Sequence, residues 1–384
     1  MLPIYMIVYC AFFDTHSQMP VLAPYALSLG ATPFLLGVVV GSYSISNILG
    51  NFVSGAIIDR SGWQKPLLFG LSGVSLALFF YTLADSPLDL IAARAWHGLV
   101  GGILVPAALA CLTNDEKHAA HQAPRLAYFG VSIGLAAVTG PPIAGFIAAN
   151  FGYRAVYYSL FALMLSATLA AAVYLATEHR ESTVRHTHAE NIYKSFATSP
   201  LLQTALVFSF GVMGATGVLA TFLPSRAQVV GLDSARTGML FAVFALSAIV
   251  VQLLWSKVIP KFAQKNYKGC TAGLLLIGLA LLMIQLAASS ITLFIALFVF
   301  GTGFGLTFQG MLGLVMEGSQ AAWRGRAIGS FFAAYSLGAA LLPPFSGLLW
   351  QNFSVIIPFY TAAVSVMTCL LVGRKLASKI DSTC

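Results

Sequence analysis

Two ionisable side chains lie where almost everything around them is apolar. Asp14 is the only carboxylate deep within any long apolar run, in the stretch Phe13-Asp14-Thr15-His16-Ser17-Gln18-Met19-Pro20. If that stretch is helical, Gln18 shares the face of Asp14 four residues on. Burial favours the neutral carboxyl and a nearby cation favours the charged one. A carboxylate held between those effects is able to take up and release a proton as its access to water changes. The cation is Arg94, in Arg94-Ala95-Trp96-His97-Gly98-Leu99-Val100-Gly101-Gly102. An arginine inside a membrane span costs about 2.5–3.5 kcal/mol on insertion scales, so it is expected to be paired or to face an aqueous cavity. His16 and His97 carry rings suited to proton relay near neutral pH. Asn47, Asn51, Gln203 and Gln309 are uncharged polar groups within apolar runs, fit either for hydrogen bonds between helices or for contacts to a small molecule. No Ser/His/Asp set or phosphate loop accompanies them, and the five cysteines, Cys10, Cys111, Cys270, Cys369 and Cys384, are far apart. The residue types point to reversible proton binding, with no enzyme chemistry, no metal and no bound cofactor expected.

The elements that must hold these groups are membrane spans. Of the 384 residues, 58% are hydrophobic and only 8% are charged, and the mean hydropathy is +0.86. That much apolar surface needs lipid or neighbouring spans to cover it. Twelve apolar runs are long enough to cross a bilayer, near 2–27, 34–58, 66–85, 88–112, 125–149, 154–177, 200–224, 236–258, 269–288, 290–315, 326–350 and 353–374. The first run lacks a small-residue cleavage site and is expected to be a retained span. The longest polar interruption, residues 178–199 with His179, His186 and His188, divides six runs from six and reads as a solvated linker.

The net charge of +8 does not mark a nucleic-acid surface, because the basic residues are spread between the apolar runs. If the N-terminus is cytosolic, sixteen of the 20 Lys and Arg residues fall in cytosolic loops or tails. Three, Arg154, Arg226 and Arg236, fall on the opposite side, and Arg94 lies within a span. This asymmetry places both termini in the cytosol.

The chain also repeats itself. Gly130-Val-Ser-Ile-Gly134 leads into Gly140-Pro141-Pro142-Ile143-Ala144-Gly145, and Pro343-Pro344-Phe345-Ser346-Gly347 restates the Pro-Pro-x-x-Gly spacing 202 residues later. Asn150-Phe151 returns as Asn352-Phe353 at the same offset. Two membrane halves built alike are the mark of a transporter with internal repeats.

Three stretches sharpen this. Gly55-Ala-Ile-Ile-Asp59-Arg60-Ser-Gly62-Trp-Gln-Lys65, between the second and third runs, resembles the loop signature Gly-x-x-x-Asp-Arg-x-Gly-x-Lys/Arg of the major facilitator superfamily. The stretch beginning at Arg94 resembles that superfamily's fourth-helix signature Arg-x-x-Gln-Gly, with His97 in place of Gln. Gly130, Gly134, Gly140, Pro141 and Gly145 resemble its fifth-helix antiporter signature, with Ala144 in place of one glycine. The resemblance covers nearly the whole chain and is nearest to the twelve-helix drug:proton antiporter family. It implies an all-α membrane protein of twelve transmembrane helices in two pseudo-symmetric six-helix bundles, 1–177 and 200–384, joined by a cytosolic linker.

The resemblance further implies alternating access, with the two bundles rocking around a midplane site. Gly55, Asp59, Arg60, Gly62 and Lys65 would form a gating latch. Asp14 would carry the proton and Arg94 would tune it. His16, Gln18, His97, Gln203, Gln309 and Tyr335 are the candidates for lining the substrate cavity. The expected partners are a small amphipathic or cationic molecule such as a drug or secreted metabolite, protons, and the bilayer of a bacterial plasma membrane. Nucleic acid is not expected, and the chain is expected to act as a monomer. Export driven by the proton gradient is the leading expectation. A proton-coupled metabolite importer and a transport-dead membrane sensor are the alternatives.

Overall fold

A computed structural model describes residues 2–113, 122–177, 199–258, 266–320, 323–354 and 357–381. The polar segment 178–198, with its three histidines, lies outside the described residues. Among the described residues the regular structure is entirely helical. The helices are α1 Leu2–Ser17, α2 Leu22–Ser28, α3 Pro33–Ser61, α4 Gln64–Leu83, α5 Pro87–Thr113, α6 Gln122–Phe151, α7 Tyr153–Thr177, α8 Pro200–Val229, α9 Ser234–Val258, α10 Asn266–Leu286, α11 Ser290–Glu317, α12 Arg324–Asn352 and α13 Ile357–Asp381.

Eleven of the apolar runs each fall on one helix, and those eleven helices are long and apolar enough to cross a membrane. The first run departs from expectation. It is not one continuous span: α1 stops at Ser17, residues 18–21 form a turn, and α2 follows. Pro20 explains the break, since it has no N–H to give to the carbonyl four residues back and its ring crowds that carbonyl. The turn closes instead through Met19 N–H to His16 O and Leu22 N–H to Gln18 O.

The chain forms two compact units. The first comprises residues 1–31, 42–188 and 233–242, and the second residues 32–41, 189–232 and 243–384. Within the first unit α1 packs on α6 and α7, and α4 packs on α5 and α7. Within the second, α8 packs on α12 and α13, and α10 packs on α11 and α13. The pairings therefore repeat, as the sequence echo requires.

The repeat extends to single hydrogen bonds. Gly30, at φ +86°, ends α2, with the Ala31 N–H returning to Ala26 O. Gly231, at φ +79°, ends α8, with the Leu232 N–H returning to Ala227 O. Both are left-handed helix stops that glycine makes without a Cβ clash. Asn150 and Asn352 each donate to the carbonyl four residues back, Phe146 O and Leu348 O. The first helix breaks the likeness: α8 runs through Pro224 unbroken, whereas its counterpart is interrupted directly after the stretch that bears Asp14.

Candidate functional site

The interruption after α1 places Asp14 in that helix's last turn. Opposite it stands α5, whose start is fixed by a reciprocal cap. The Ser86 N–H and hydroxyl both donate to Asp89 Oδ2, and the Asp89 N–H donates to Ser86 Oγ. From that start, Arg94 and His97 fall one turn apart on the same side of α5. The helix lies close against α3 because Gly98 presents no side chain to the Tyr43 carbonyl. Any Cβ there would meet backbone, so close approach at this point requires glycine.

These elements bring four polar side chains together in the interior of the first unit. Asp14 is fully buried, His97 is 2% exposed, Gln18 1% and Arg94 8%. Gln18 Nε2 donates to Asp14 Oδ1 at 2.8 Å. Arg94 donates to Gln18 Oε1 at 2.9 Å. His97 Nε2 lies 3.0 Å from Asp14 Oδ2. The expected closeness of Asp14 and Arg94 is met, but the two are bridged by Gln18, and the carboxylate's ion partner is His97. The Arg94 guanidinium also lies 4.6 Å from the centroid of the Tyr43 ring, a cation–π contact that a desolvated cation rewards. Tyr43 and Tyr81 both stand edge-on to the His97 ring, at 5.3 and 6.0 Å between centroids.

Three buried polar atoms in this group have no hydrogen-bond partner: Asp14 Oδ2, His97 Nδ1 and Arg94 Nε. His97 Nε2 and Asp14 Oδ2 thus approach to 3.0 Å without a hydrogen bond between them. Such groups are costly to leave unmade inside a protein, and at a functional site they mark where a proton, water or ligand binds. A small cavity of about 60 Å³ opens beside them, lined by Phe12, Asp14, Thr15, Tyr43 and His97 among others. The arrangement is able to hold one proton and a water-sized or larger polar group beside a carboxylate. Tyr81 escaped sequence reasoning, because a tyrosine in an apolar run carries no signal of the ring it will face.

The remaining sequence candidates fall elsewhere. His16 does not join the buried group; its Nδ1 pairs with Phe12 O at 2.7 Å within α1. In the second unit Gln203 and Gln309 are half-buried on α8 and α11. Tyr335 sits against Phe308, Phe331 and Phe332, at 6.4, 6.1 and 5.9 Å between ring centroids. Phe304 stacks on Phe308 at 5.9 Å, extending an uncharged aromatic ladder.

The latch residues occupy the end of α3 and the turn into α4. Gly62, at φ +73°, makes the tight turn from α3 into α4. Asp59, Arg60 and Lys65 are exposed, and among the described residues Asp59 has no ion-pair partner. Gly55 makes no close approach to another helix, since a Cβ at that position would meet nothing within 4 Å. Its surface faces outward, so the glycine has no packing reason within this structure.

The fifth-helix glycines divide in the same way. Gly130 also faces open space, and Gly134 is half-buried. Gly140 is buried against Phe13 O and Ser17 Oγ of the first helix, each 3.0 Å from where its Cβ would stand. Gly145 abuts the Ser234 carbonyl, and the Pro141 carbonyl abuts Gly238, so α6 and the first turns of α9 touch backbone to backbone. α6 passes through Pro141 and Pro142 as one helix.

A family model described as Major Facilitator Superfamily matches residues 4–332. The chain is 24% identical over 361 residues to the "Multidrug efflux protein YfmO" of Bacillus subtilis, covering 93% of this chain and 88% of that one. It is 23% identical over 270 residues to the "Multidrug resistance protein 2" of the same organism, covering 67% of this chain and 66% of that one. Among solved structures, a peptide transporter POT in complex with sulfate superposes with a TM-score of 0.83 at 13% identity, over 99% of this chain and 94% of that one. At that identity the likeness is one of fold.

Proposed function

The chain belongs to the major facilitator superfamily, and from that premise we propose that this multi-pass membrane transporter is a proton-coupled exporter of small amphipathic or cationic molecules. The observation that carries the proposal is the buried group of Asp14, His97, Gln18 and Arg94 beside a cavity. A carboxylate and an arginine this deep in a span are expensive to insert and are kept where charge moves. Proton uptake here changes the charge that a substrate in the cavity meets, which is the condition for coupling the two fluxes. The energy source is the proton gradient, with no bound cofactor.

Two observations support the choice of substrate class and direction. Two of the sequence relatives are a multidrug resistance protein and a multidrug efflux protein. The second unit offers an uncharged aromatic ladder, Phe304, Phe308, Phe331, Phe332 and Tyr335, whose ring faces suit lipophilic cations. The two halves, 1–177 and 200–384, are read as bundles that alternate access around a site near the bilayer midplane. Asp59 and Arg60 bias the cycle between states, and both termini lie in the cytosol.

The test is proton flux in proteoliposomes of the purified full chain, with an internal pH dye and lipophilic cations such as tetraphenylphosphonium as probes. Export by antiport predicts protons moving opposite to the probe. Protons moving with a sugar or other metabolite would replace export with import.

A further inference from the structure

We propose that the first unit carries a second binding site, a lipid-facing crevice between α1, α6 and α7 that takes the hydroxyl end of an uncharged amphiphile, an alkanol dissolved in the bilayer. The crevice has a volume of about 90 Å³ and is lined by Phe13 and Ser17 of α1, Ile143 and Ala144 of α6, and Ser159 and Leu160 of α7, among others. It shares no lining residue with the cavity beside Asp14. Phe13, Ser17, Ala144 and Leu160 are buried and make its inner end. Ile143 is 46% exposed and Ser159 is exposed, so these two stand at its mouth. Both belong to helices long and apolar enough to cross a membrane, and the mouth therefore opens to the hydrocarbon of the bilayer.

Small residues make the space. Phe13 and Ser17 are one turn apart and share a face of α1. Gly140 of α6 carries no side chain beside them: a Cβ there would stand 3.0 Å from both Phe13 O and Ser17 Oγ. Ala144, one turn further on, stands where the fifth-helix signature has a glycine, and its single methyl group leaves the gap between α6 and α7 unfilled.

The wall offers a guest one hydrogen-bonding group, and at the closed end. Ser17 is fully buried, and its hydroxyl has no hydrogen-bond partner. The Ser159 hydroxyl at the mouth already donates to Ala155 O at 2.8 Å. A buried hydroxyl left unpaired is unfavourable, and rotation about χ1 turns it toward a guest. Water fits poorly, because a buried water needs about two to four polar partners and the inner end supplies Ser17 alone. A plain alkyl chain leaves the hydroxyl unpaired. A charged end would be buried without a counter-ion, since no charged side chain lines the crevice among the described residues. An alcohol meets both demands: its oxygen pairs with Ser17 Oγ, and its chain runs outward between α6 and α7. The volume is below the about 150 Å³ that accommodates benzene in an apolar protein cavity, so the crevice admits a narrow chain end.

The test is photolabelling of the full chain in lipid nanodiscs with 3-azioctanol, whose reactive diazirine lies close to its hydroxyl. Adducts are located by mass spectrometry of peptides. They are expected on the inner residues Phe13 or Leu160, and excess octanol is expected to displace them. Ala144→Leu, which fills the crevice, is expected to remove them. Ser17→Ala is expected to lower them several-fold while leaving adducts on outward-facing residues such as Leu169, 60% exposed, at the wild-type level. Ser17→Ala removes only an oxygen, so it keeps the test decisive if Ala144→Leu fails to fold. Inner residues without adducts, or inner labelling unchanged in folded Ser17→Ala, overturn the proposal. A phosphatidylcholine with a diazirine at its acyl-chain end that labels the inner residues undiminished by octanol makes a lipid tail the occupant, and also overturns it. Proton flux with tetraphenylphosphonium reads the exporter separately, so either reading is able to fail alone.

Discussion

At the scale of the residue, the centre is a relay of contacts in which each member orients the next. Arg94 fixes Gln18, Gln18 fixes Asp14, and Asp14 faces His97. Gln18→Leu keeps the volume but strands a buried carboxylate oxygen and a buried guanidinium. Leaving such groups unsatisfied costs about 1–3 kcal/mol each. The expected result is a lowered thermal midpoint of the purified protein in detergent, together with impaired proton exchange. Unchanged stability would show that water replaces the amide. Asp59→Ala is expected to slow or unbalance turnover while leaving the half-saturating probe concentration unchanged, because Asp59 is exposed at the end of α3, away from the cavity. A large affinity loss would remove it from the gate. That Asp14 and Arg94 would be buried in one polar group was legible in the sequence, since charges in apolar runs are rare and costly. The bridge through Gln18 was half legible, as a face shared at i+4. The choice of His97 over Arg94 as ion partner was not, because it depends on how α1 and α5 are rotated against each other.

At the scale of the element, the same composition of glycine serves different ends. A Cβ at Gly145 would collide with the backbone at Ser234, whereas one at Gly130 would meet open space. Gly145→Ala is therefore expected to disrupt the packing of α6 on the start of α9, and to reduce both the thermal midpoint and transport. Gly130→Ala is expected to leave both at the wild-type level. Equal effects would mean that the signature acts by something other than close packing. The motif's spacing was readable from sequence, yet nothing in the spacing separates the packed glycines from the outward-facing ones. The break of the first helix was likewise hidden. Pro20 interrupts a span, whereas Pro106, Pro141 and Pro142 sit inside continuous helices. A proline's effect depends on whether neighbours re-satisfy the freed carbonyl.

At the scale of the molecule, two units built on the same pairings differ in what they enclose. Among the described residues the first holds the buried charges Asp14 and Arg94 with a broken helix beside them, and the second holds the uncharged aromatic ladder. The repeat was visible in the sequence as an offset of 202 residues, because helix stops and close-packed turns demand particular residue types. The division of labour between the units rests on side chains that no repeat dictates. A reporter fused to the C-terminus is expected on the cytosolic side, where the excess of Lys and Arg places it; a reporter found outside would overturn the orientation. The proposal that a buried proton centre drives a cation outward is decided by proton flux in proteoliposomes carrying the wild type and Asp14→Asn, with a tetraphenylphosphonium gradient and an internal pH dye. In the wild type the probe moving one way is expected to drive protons the other way, and the folded, inserted variant is expected to move none. A variant that exchanges protons as the wild type does, or protons travelling with the probe, would contradict it.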